Sequence, residues 1–387
     1  MARSAVGPVR GVEVPARTED FTADPVELFF DLGYVFAFSQ LVGVLIGDPT
    51  WAGVGRVALL FGLLWLPWQQ LTWSANAVSG NGRTVRIIFL AATAISVPMA
   101  ASTSSALGAG GPLFAVTLAL IMGLGFWIQS LGVDGDEAGR TVRRWVTPNV
   151  VAVAILLAGA FVEGEARVVL WLVTAVIVVG AMVAAGRGEW LIRSGHMVER
   201  HGLIVIVALG EVIVAIGIPV VEALEADEGL SGQTITALAA SGVFAALLWW
   251  SYFDRPSPAL EHRGAQLDTD NERGRYVRDV YTAAHAPLVA GIILAAAALE
   301  EIALHPGDPV DLGFRLMLAG GLALGVLGVG LAVWSAFHVV AKERVVAGLA
   351  IAVLVLAAGS VAGVTLLLAV VAIVFASLVV EHERIKR

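Results

Sequence analysis

The sequence contains no cysteine and little charge. The absence of cysteine from its 387 residues excludes disulfide bonds, thiolate metal sites and cysteine nucleophiles. Charged residues make up 14% of the chain, against about 25% in soluble proteins, and the hydrophobic fraction is 58%. Lysine occurs only at Lys342 and Lys386, and no basic patch of the kind that binds nucleic acid is present. These deficits indicate an integral membrane protein with no nucleic-acid partner.

The first 25 residues also lack an apolar run. A secretory signal requires a short apolar core and a small-residue cleavage site, and this segment has neither. It is polar and carries Arg3, Arg10 and Arg17. We therefore expect residues 1–25 to form a flexible cytoplasmic tail, with the first true helix uncleaved.

What the chain does contain is a series of long apolar stretches. About 20 residues of helix are needed to cross a bilayer, and twelve stretches meet this length approximately. They lie near 26–47, 52–74, 84–106, 111–132, 145–162, 167–186, 199–221, 235–254, 276–299, 312–338, 344–359 and 361–380. The last two form one apolar run, in which Gly359, Ser360 and Gly363 predict a turn. Without that turn the count would be eleven.

The basic residues test this count, because Lys and Arg accumulate in cytoplasmic loops. With twelve crossings, all of the 24 basic residues except Arg56, Arg167 and Arg315 lie on the same side as the N-terminus. The pattern predicts an all-α polytopic membrane protein with both termini in the cytoplasm.

Short matches suggest an internal repeat. Arg83-Thr-Val-Arg86 and Arg275-Tyr-Val-Arg278 each begin a predicted helix that contains a proline further in, Pro98 or Pro287. Six helices return the chain to the same side, so the halves 26–193 and 194–387 would be parallel repeats. The positive-inside rule also explains an arginine before a helix, so the duplication is a hypothesis.

The first helix carries two carboxylates where a membrane helix should be apolar. At 100° per residue, Glu27, Asp31, Tyr34 and Phe38 share one face within about 60°. Glu27 can be explained as a carboxylate that stabilises a helix N-terminus. Asp31 lies one turn deeper, where an ionisable residue indicates a paired or functional role.

The seventh helix supplies a third acid near its middle. Glu211 lies among small residues, which would let another helix approach closely. Arg200 is eleven residues earlier on nearly the same face, so the two could form a proton or cation path. His201 is a further candidate, although an interfacial position explains it equally simply. The alternative for Glu211 is a protonated side chain hydrogen-bonded to a neighbouring helix.

The ninth helix places Arg278, Tyr281 and His285 on one face of an α-helix, with Asp279 beside them. Histidine exchanges protons near physiological pH, so His285 is a candidate proton acceptor. A structural hydrogen bond to another helix is the alternative.

Aromatic and amide residues also cluster near the ends of the second and eighth helices. With Tyr281, they give a set of candidate cavity-lining residues; ordinary packing is the alternative for every one. The set comprises Trp68, Gln69, Trp249, Trp250 and Tyr281.

Three blocks resemble the bacterial low temperature requirement protein A family. They are Glu27-Leu-Phe-Phe-Asp31-Leu, Glu199-Arg-His-Gly-Leu203 with Leu209-Gly-Glu211, and Trp249-Trp250-Ser-Tyr-Phe253. The resemblance extends from about residue 22 over nearly the whole chain. It implies a polytopic protein of the bacterial inner membrane, in a family named for growth in the cold whose molecular activity is not established. The family motif usually continues Val-Phe where this chain has Gly33-Tyr34.

These features lead to three hypotheses of function. The first is a secondary transporter of an unknown small solute, with proton coupling as one form, acting through Asp31, Glu211, Glu27, Arg200, His201, His285 and Tyr34. The second is a membrane enzyme that modifies lipid with Mg²⁺ held by Glu27 and Asp31, although no catalytic sequence motif accompanies them. The third is a structural or stress-adaptation protein that transports nothing. We expect no cofactor, and membrane lipid, a small-molecule substrate and a second copy of the chain are the partners considered.

Overall fold

The computed structural model describes residues 5–6, 13–14, 22–78, 82–131, 136–185, 192–225 and 229–386. The expected helical architecture is confirmed, because helices form nearly all of this part. The exception is one antiparallel pair of strands, β1 (Ala5–Val6) and β2 (Glu13–Val14). Most of the predicted N-terminal tail lies outside the described residues.

The helices follow one another with short connections. They are α1 (Pro25–Gly47), α2 (Trp51–Ala77), α3 (Arg83–Thr103), α4 (Gly111–Leu131), α5 (Asp136–Ala160), α6 (Glu165–Ala185), α7 (Ser194–Glu225), α8 (Gly232–Phe253), α9 (Pro256–Ala265), α10 (Asp270–Tyr276), a π-helical segment (Val277–Ala283), α11 (Ala284–Leu304), α12 (Leu312–Phe337), α13 (Lys342–Ala357) and α14 (Gly363–Lys386).

Eleven membrane-spanning candidates occur in the described chain, one fewer than the twelve expected from the sequence. The difference is α13, which has only 16 residues. At 1.5 Å per residue it is about 24 Å long, less than the roughly 30 Å of a hydrocarbon core. The predicted turn before the last helix is present, because α13 ends at Ala357 and α14 begins at Gly363.

Prolines lie inside several helices without ending them. Helices α2, α3 and α11 continue through Pro67, Pro98 and Pro287. The irregular element is instead the π-helical segment, in a region where α9 and α10 also replace the expected loop. Pro287 has no N–H to donate to the carbonyl of Ala283, the last residue of this segment. The missing α-helical hydrogen bond explains why the π-helical segment lies next to this proline.

The chain divides into two compact units. The first comprises residues 1–41, 56–203 and 261–283, and the second comprises residues 42–55, 204–260 and 284–387. These units are defined by contacts. The parallel repeat of halves 26–193 and 194–387 is a statement about symmetry and stays a prediction.

In the first unit, α1 begins at a capping box. Asp24 Oδ1 accepts the Val26 N–H at 3.1 Å, and Glu27 Oε1 accepts the Asp24 N–H at 3.2 Å. Pro25 occupies the first helical position, where the missing N–H costs nothing. These capping residues set the start of α1 and therefore the positions of Glu27 and Asp31 along the helix. Nearby, Leu66, Met122, Ala152 and Val178 join α2, α4, α5 and α6 in an apolar core.

In the second unit, α11 and α12 pack backbone against backbone. A Cβ added to Gly321 would lie 2.6 Å from the carbonyl oxygen of Gly291, and one added to Gly328 would lie 2.7 Å from that of Ala284. Only glycine permits this approach, which is a frequent arrangement of helices in membranes.

Helices α13 and α14 are antiparallel. Arg344, near the start of α13, donates to Glu381, near the end of α14, at 2.9 Å. At the other end Gly363, which begins α14, donates its N–H to Asp308 in the α11–α12 loop at 2.8 Å.

Candidate functional site

The centre of the first unit is an ion pair between α1 and α7. Arg200 Nη1 donates to Asp31 Oδ2 at 2.6 Å, and Nη2 donates to Asp31 Oδ1 at 2.8 Å. The side chains of Arg200 and Asp31 are 0% and 3% exposed. Trp68 Nε1 also donates to Asp31 Oδ1 at 2.8 Å, and its ring lies 5.3 Å from the Arg200 guanidinium carbon. A bidentate pair with a further donor and a cation–π contact is the geometry that makes a buried charge tolerable.

Glu27 extends this pair on the other side of the guanidinium. Its Oε2 lies 3.5 Å from Arg200 Nε and 2.9 Å from His196 Nε2, and all three side chains are fully buried. Glu27 Oε1 caps the N-terminus of α1, as the sequence predicted. Its Oε2 has a second role, because it contacts Arg200 and His196 in the buried cluster. Arg200 therefore faces two carboxylates at once.

The position of the proton on His196 follows from its neighbour Asn76. Asn76 accepts the Arg193 N–H at 2.9 Å and donates through Nδ2 to the Arg193 carbonyl at 3.0 Å, which fixes the amide orientation. The same Nδ2 lies 3.2 Å from His196 Nδ1, so Nδ1 is the acceptor. His196 then carries its proton on Nε2 and donates it to Glu27.

His196 is a site residue that the sequence reasoning missed. The seventh helix was expected to begin at residue 199, whereas α7 begins at Ser194. His196 and Arg200 are four residues apart and therefore share a face of this longer helix. Their spacing was the available signal, and placing His196 in a loop concealed it.

A second buried network lies beside the ion pair, and it is neutral. Trp73 Nε1 donates to Thr282 Oγ1 at 2.9 Å, and Thr282 donates to Gln69 Oε1 at 3.0 Å. Gln69 Nε2 lies 3.0 Å from His201 Nε2, while His201 Nδ1 lies 2.8 Å from the Met197 carbonyl.

Donor and acceptor chemistry sets the direction of the bonds at the two ends of this network. An indole N–H can only donate and a backbone carbonyl can only accept. The Thr282 hydroxyl therefore donates to Gln69, and His201 carries its proton on Nδ1. His201 is thus a buried hydrogen-bonding side chain with an exposure of 0%, and its depth relative to the membrane interface stays a prediction.

Aromatic rings enclose both networks. Trp68 stacks on Trp65 with ring centroids 5.2 Å apart and meets the edge of His201 at 5.3 Å. Tyr281 lies 5.3 Å from His201, and Tyr34 donates its hydroxyl to the Leu64 carbonyl at 3.1 Å. Of the predicted cavity-lining residues, Trp68, Gln69 and Tyr281 are therefore brought together around His201.

The π-helical segment supplies Thr282 to this site. Besides the hydroxyl contacts, its carbonyl accepts the Trp65 indole N–H at 3.3 Å. The sequence interpretation placed Tyr281 and His285 on one face of an α-helix. The π-helical turn changes that register: Tyr281 contacts His201 in the first unit, whereas His285 belongs to the second.

Within the second unit, His285 pairs with Tyr252 at 2.6 Å between Nε2 and the hydroxyl oxygen. Glu211 is also buried in this unit, at 2% exposure. Arg200 itself pairs with Asp31 and Glu27; the path through Arg200 and Glu211 stays a prediction. Close helix approach at the glycines beside Glu211 is wrong: in the described part of the chain, a Cβ on Gly210 or Gly217 meets nothing within 4 Å.

Trp249 and Trp250 differ from the other predicted cavity residues. They are 47% and 54% exposed, while Trp68 is fully buried. In a membrane protein, exposed tryptophans of this kind suit contact with lipid or the interface.

The arrangement of the two carboxylates does not favour the magnesium hypothesis. Among the residues that the structure describes, no three His, Asp or Glu side chains are grouped to hold a metal ion. Both oxygens of Asp31 already accept bonds from Arg200, and one also accepts from Trp68. A cation there would have to displace a guanidinium.

The sequence profile of the bacterial low temperature requirement A proteins (LtrA) matches residues 22–380. The chain belongs to the LtrA family. An uncharacterized protein of Rhizobium meliloti (strain 1021) is 28% identical over 325 residues, covering 80% of this LtrA chain and 77% of that protein. No solved structure matches the chain significantly. Family membership and the apolar helices together make the chain a multi-pass membrane protein.

The departure of this LtrA chain from the expected Val-Phe motif has a structural explanation. Gly33 lies so close to Ser96 on α3 that any added Cβ would clash with the Ser96 hydroxyl. The next residue, Tyr34, uses its hydroxyl to bond Leu64 on α2, which phenylalanine could not do. Glycine thus brings α1 close to α3, and tyrosine adds a bond from α1 to α2.

Proposed function

We propose that this LtrA protein is a secondary transporter of a small solute, in which the cluster of Asp31, Glu27, Arg200 and His196 couples a proton to transport. One observation carries the proposal: four ionisable side chains are fully or almost fully buried in one membrane-spanning unit. Such groups are costly in a bilayer and are typical of ion pathways and proton relays.

The charges of these four side chains leave room for one proton. Arg200 carries one positive charge against two carboxylates, and His196 is neutral with its proton on Nε2. A proton on Asp31 Oδ2 would release Nη1 of Arg200, and the guanidinium would then turn towards Glu27, only 3.5 Å from Nε. The cluster therefore has two arrangements that differ by one proton, which is what alternating access requires of a coupling group.

The neutral network and the rings set the surroundings of this exchange. Trp68 contacts both Asp31 and His201. Movement of Arg200 would therefore shift Trp68 and change the geometry of the hydrogen bond between Thr282 and Gln69. In this proposal Tyr34, His201 and Tyr281 surround the cluster in the first unit, and Glu211 and His285 are separate candidate pathway residues of the second unit. Trp249 and Trp250 are assigned to lipid contact.

The proposed topology has twelve crossings, two parallel six-helix halves and both termini in the cytoplasm. Support for the twelfth crossing comes from the second unit. Helix α13 connects the level of Glu381 with the level of the α11–α12 loop, as its antiparallel neighbour α14 does. Arg315, at the start of α12, also reaches the Val355 carbonyl at the end of α13. An even count agrees with the distribution of arginines, and the bacterial inner membrane is the proposed location.

The proposal is tested by proton flux in proteoliposomes. Wild-type protein, with a pH-sensitive dye inside the vesicles, should give a proton flux that depends on one solute of a panel. The double variant Asp31→Asn/Arg200→Gln removes both charges of the bidentate pair, while Glu27 keeps its contact with His196 at 2.9 Å, so it should fold and lose the flux. Glu301→Gln is the matched control, because Glu301 pairs with the exposed His305 at 3.3 Å and should retain the flux.

A folded double variant with wild-type flux would contradict the coupling role of the cluster. A structural, non-transporting role is the second candidate, favoured by the fact that both oxygens of Asp31 are hydrogen-bonded. Under that role, wild type and both variants give the same solute-independent trace, and only the stability of the double variant changes.

A further inference from the structure

The second unit contains a cavity that none of the preceding functions uses. Its wall is formed by the connection between α1 and α2, the first turn of α2, the middle of α11 and the first half of α12. Its volume of about 480 Å³ lies in the range of about 300–1,000 Å³ that is typical of small-molecule sites. Apart from Thr50, the described wall consists of apolar and aromatic residues.

One end of the cavity lies where the α1–α2 connection meets α12. Gly313, in the first turn of α12, lies so close to the Pro49 carbonyl oxygen that an added Cβ would clash with it. Both residues line the cavity. Two carboxylates flank this contact in the chain, because Asp48 directly precedes Pro49 and Asp311 lies two residues before Gly313.

These carboxylates make this end of the cavity acidic. The Thr50 hydroxyl, in the wall, donates to Asp48 Oδ1 at 2.6 Å, which holds that carboxylate beside the cavity. The Asp311 side chain is exposed and makes no hydrogen bond that caps α12. No Lys or Arg belongs to the described wall, and Arg315 of α12 donates instead to the Val355 carbonyl of α13.

The balance of charge at this end favours a cation. The N-termini of α2 and α12 each contribute a positive charge of roughly one half, whereas Asp48 and Asp311 contribute two full negative charges. An anionic group placed here would therefore meet a net charge of its own sign.

Trp51 adds an aromatic surface to the same end. It is the first residue of α2, lines the cavity and is 76% exposed. The face of an indole ring attracts a cation, and quaternary ammonium groups are recognised in this way. A quaternary ammonium has no N–H to satisfy, which suits a wall that is almost entirely apolar.

We propose that this cavity binds an amphiphile with a quaternary ammonium head group. Its alkyl chain lies along the apolar wall, and the ammonium lies beside Trp51, Asp48 and Asp311. Burial of the chain supplies most of the affinity, and the indole and the carboxylates select the head group. The site belongs to the second unit and the Asp31 cluster to the first, so it stands or falls independently of the transport proposal.

Two glycines of α12 allow a matched test. Gly320 lines the cavity and Gly330 does not, and an added Cβ at either position meets nothing within 4 Å. Gly320→Leu therefore fills the cavity, while Gly330→Leu introduces the same side chain elsewhere in the same helix.

The probe is dodecyltrimethylammonium with a photoreactive diazirine in its chain, added to protein in an uncharged maltoside detergent. Cross-linking is measured as a function of probe concentration and mapped by mass spectrometry. We expect saturable labelling of α11 and α12, with the same apparent affinity in wild type and Gly330→Leu. Gly320→Leu should weaken this affinity by about tenfold or more, because leucine occupies the space of the alkyl chain.

Competition tests the choice of head group. Dodecanol and laurate should compete about tenfold less well than unlabelled dodecyltrimethylammonium, since neither is a cation. The double variant Trp51→Leu/Asp311→Asn should lose most of this preference. Trp334→Leu/Glu301→Gln is the matched control, because both residues lie outside the cavity wall, and it should keep the preference.

Equal affinities of Gly320→Leu and Gly330→Leu would overturn the site, as would labelling of wild type that does not saturate, which would show partition into the micelle. Equal competition by laurate, dodecanol and the cation would overturn the assignment of a quaternary ammonium. If the variant at Trp51 and Asp311 does not fold, the glycine pair and the competition on wild type still decide.

Discussion

At the scale of single residues, Arg200 connects α7 with α1, because it faces carboxylates from two successive turns of α1. Removing one partner of a buried pair leaves a charge without compensation, whereas removing both leaves two neutral side chains. The energetic effect of the pair is therefore expected to be strongly non-additive.

Asp31→Asn should lower the free energy of unfolding by about 3–5 kcal/mol, because Arg200 loses its bidentate acceptor. Asp31→Asn/Arg200→Gln should recover part of this loss, because the pair is removed together but Glu27 loses its contact with the guanidinium. Denaturant unfolding in detergent of the wild type, both single variants and the double variant measures the coupling. Additive losses in this cycle would show that the pair does not act as a unit.

Thr282 is both acceptor and donor in the neutral network. Thr282→Val removes the hydrogen bonds that the Trp73 N–H and Gln69 Oε1 make with the Thr282 hydroxyl, which should cost about 1–3 kcal/mol for each buried group. Thr282→Ser keeps the hydroxyl and is the control. The difference in thermal midpoint between the two variants checks this, and similar midpoints would argue against the assigned bond directions.

Two arginines that the loop pattern places on the side opposite to the N-terminus, Arg167 and Arg315, have a common structural role. Arg167 Nε donates to the Gly159 carbonyl at 3.1 Å and Nη2 to the Ala160 carbonyl at 3.3 Å, at the end of α5. Arg315 donates to the Val355 and Leu356 carbonyls at the end of α13. Both complete helix ends whose carbonyls have no partner within the helix. Local capping therefore explains two of the three exceptions to the loop pattern.

At the scale of elements, the close packing of two helices depends on where a glycine of one helix faces the backbone of the other. The α11–α12 contact depends on Gly291, Gly321 and Gly328, whereas Gly330 on α12 has open space around its Cα.

Gly321→Ala should destabilise the protein by about 1–3 kcal/mol, since its Cβ would lie 2.6 Å from the Gly291 carbonyl oxygen. Gly330→Ala should be neutral or stabilising by up to about 1 kcal/mol, because alanine favours the helix. Unfolding of the two variants in the same detergent makes the comparison, and a Gly321→Ala variant as stable as Gly330→Ala would contradict the close packing.

At the scale of the whole molecule, the direction of α13 decides the topology. If this 16-residue helix crosses the membrane, residues 341 and 360 lie on opposite sides. If it does not, they lie on the same side and the termini are separated by the membrane.

The lack of native cysteine makes this directly measurable. In cells whose outer membrane has been opened and whose inner membrane is still sealed, an impermeant thiol reagent should label Ser360→Cys. Ala341→Cys should be labelled only after the membrane is opened, as should Ser4→Cys in the N-terminal tail. Labelling of Ala341→Cys and Ser360→Cys under the same condition would contradict the twelfth crossing.

The sequence by itself determined the membrane class, the family and nearly all the helices, and it gave Asp31 as a candidate site residue, because hydropathy, charge distribution and local motifs are properties of contiguous residues. It also indicated Arg200 and Gln69 as site residues. It could not assign their partners: Arg200 was placed on a possible path with Glu211, and only the tertiary structure brings it to Asp31 and Glu27 on α1. The roles of His196 and of Thr282 in the π-helical turn likewise depended on contacts between distant helices. Helical periodicity gives the face on which a side chain lies, whereas its partner is chosen by packing between elements far apart in sequence.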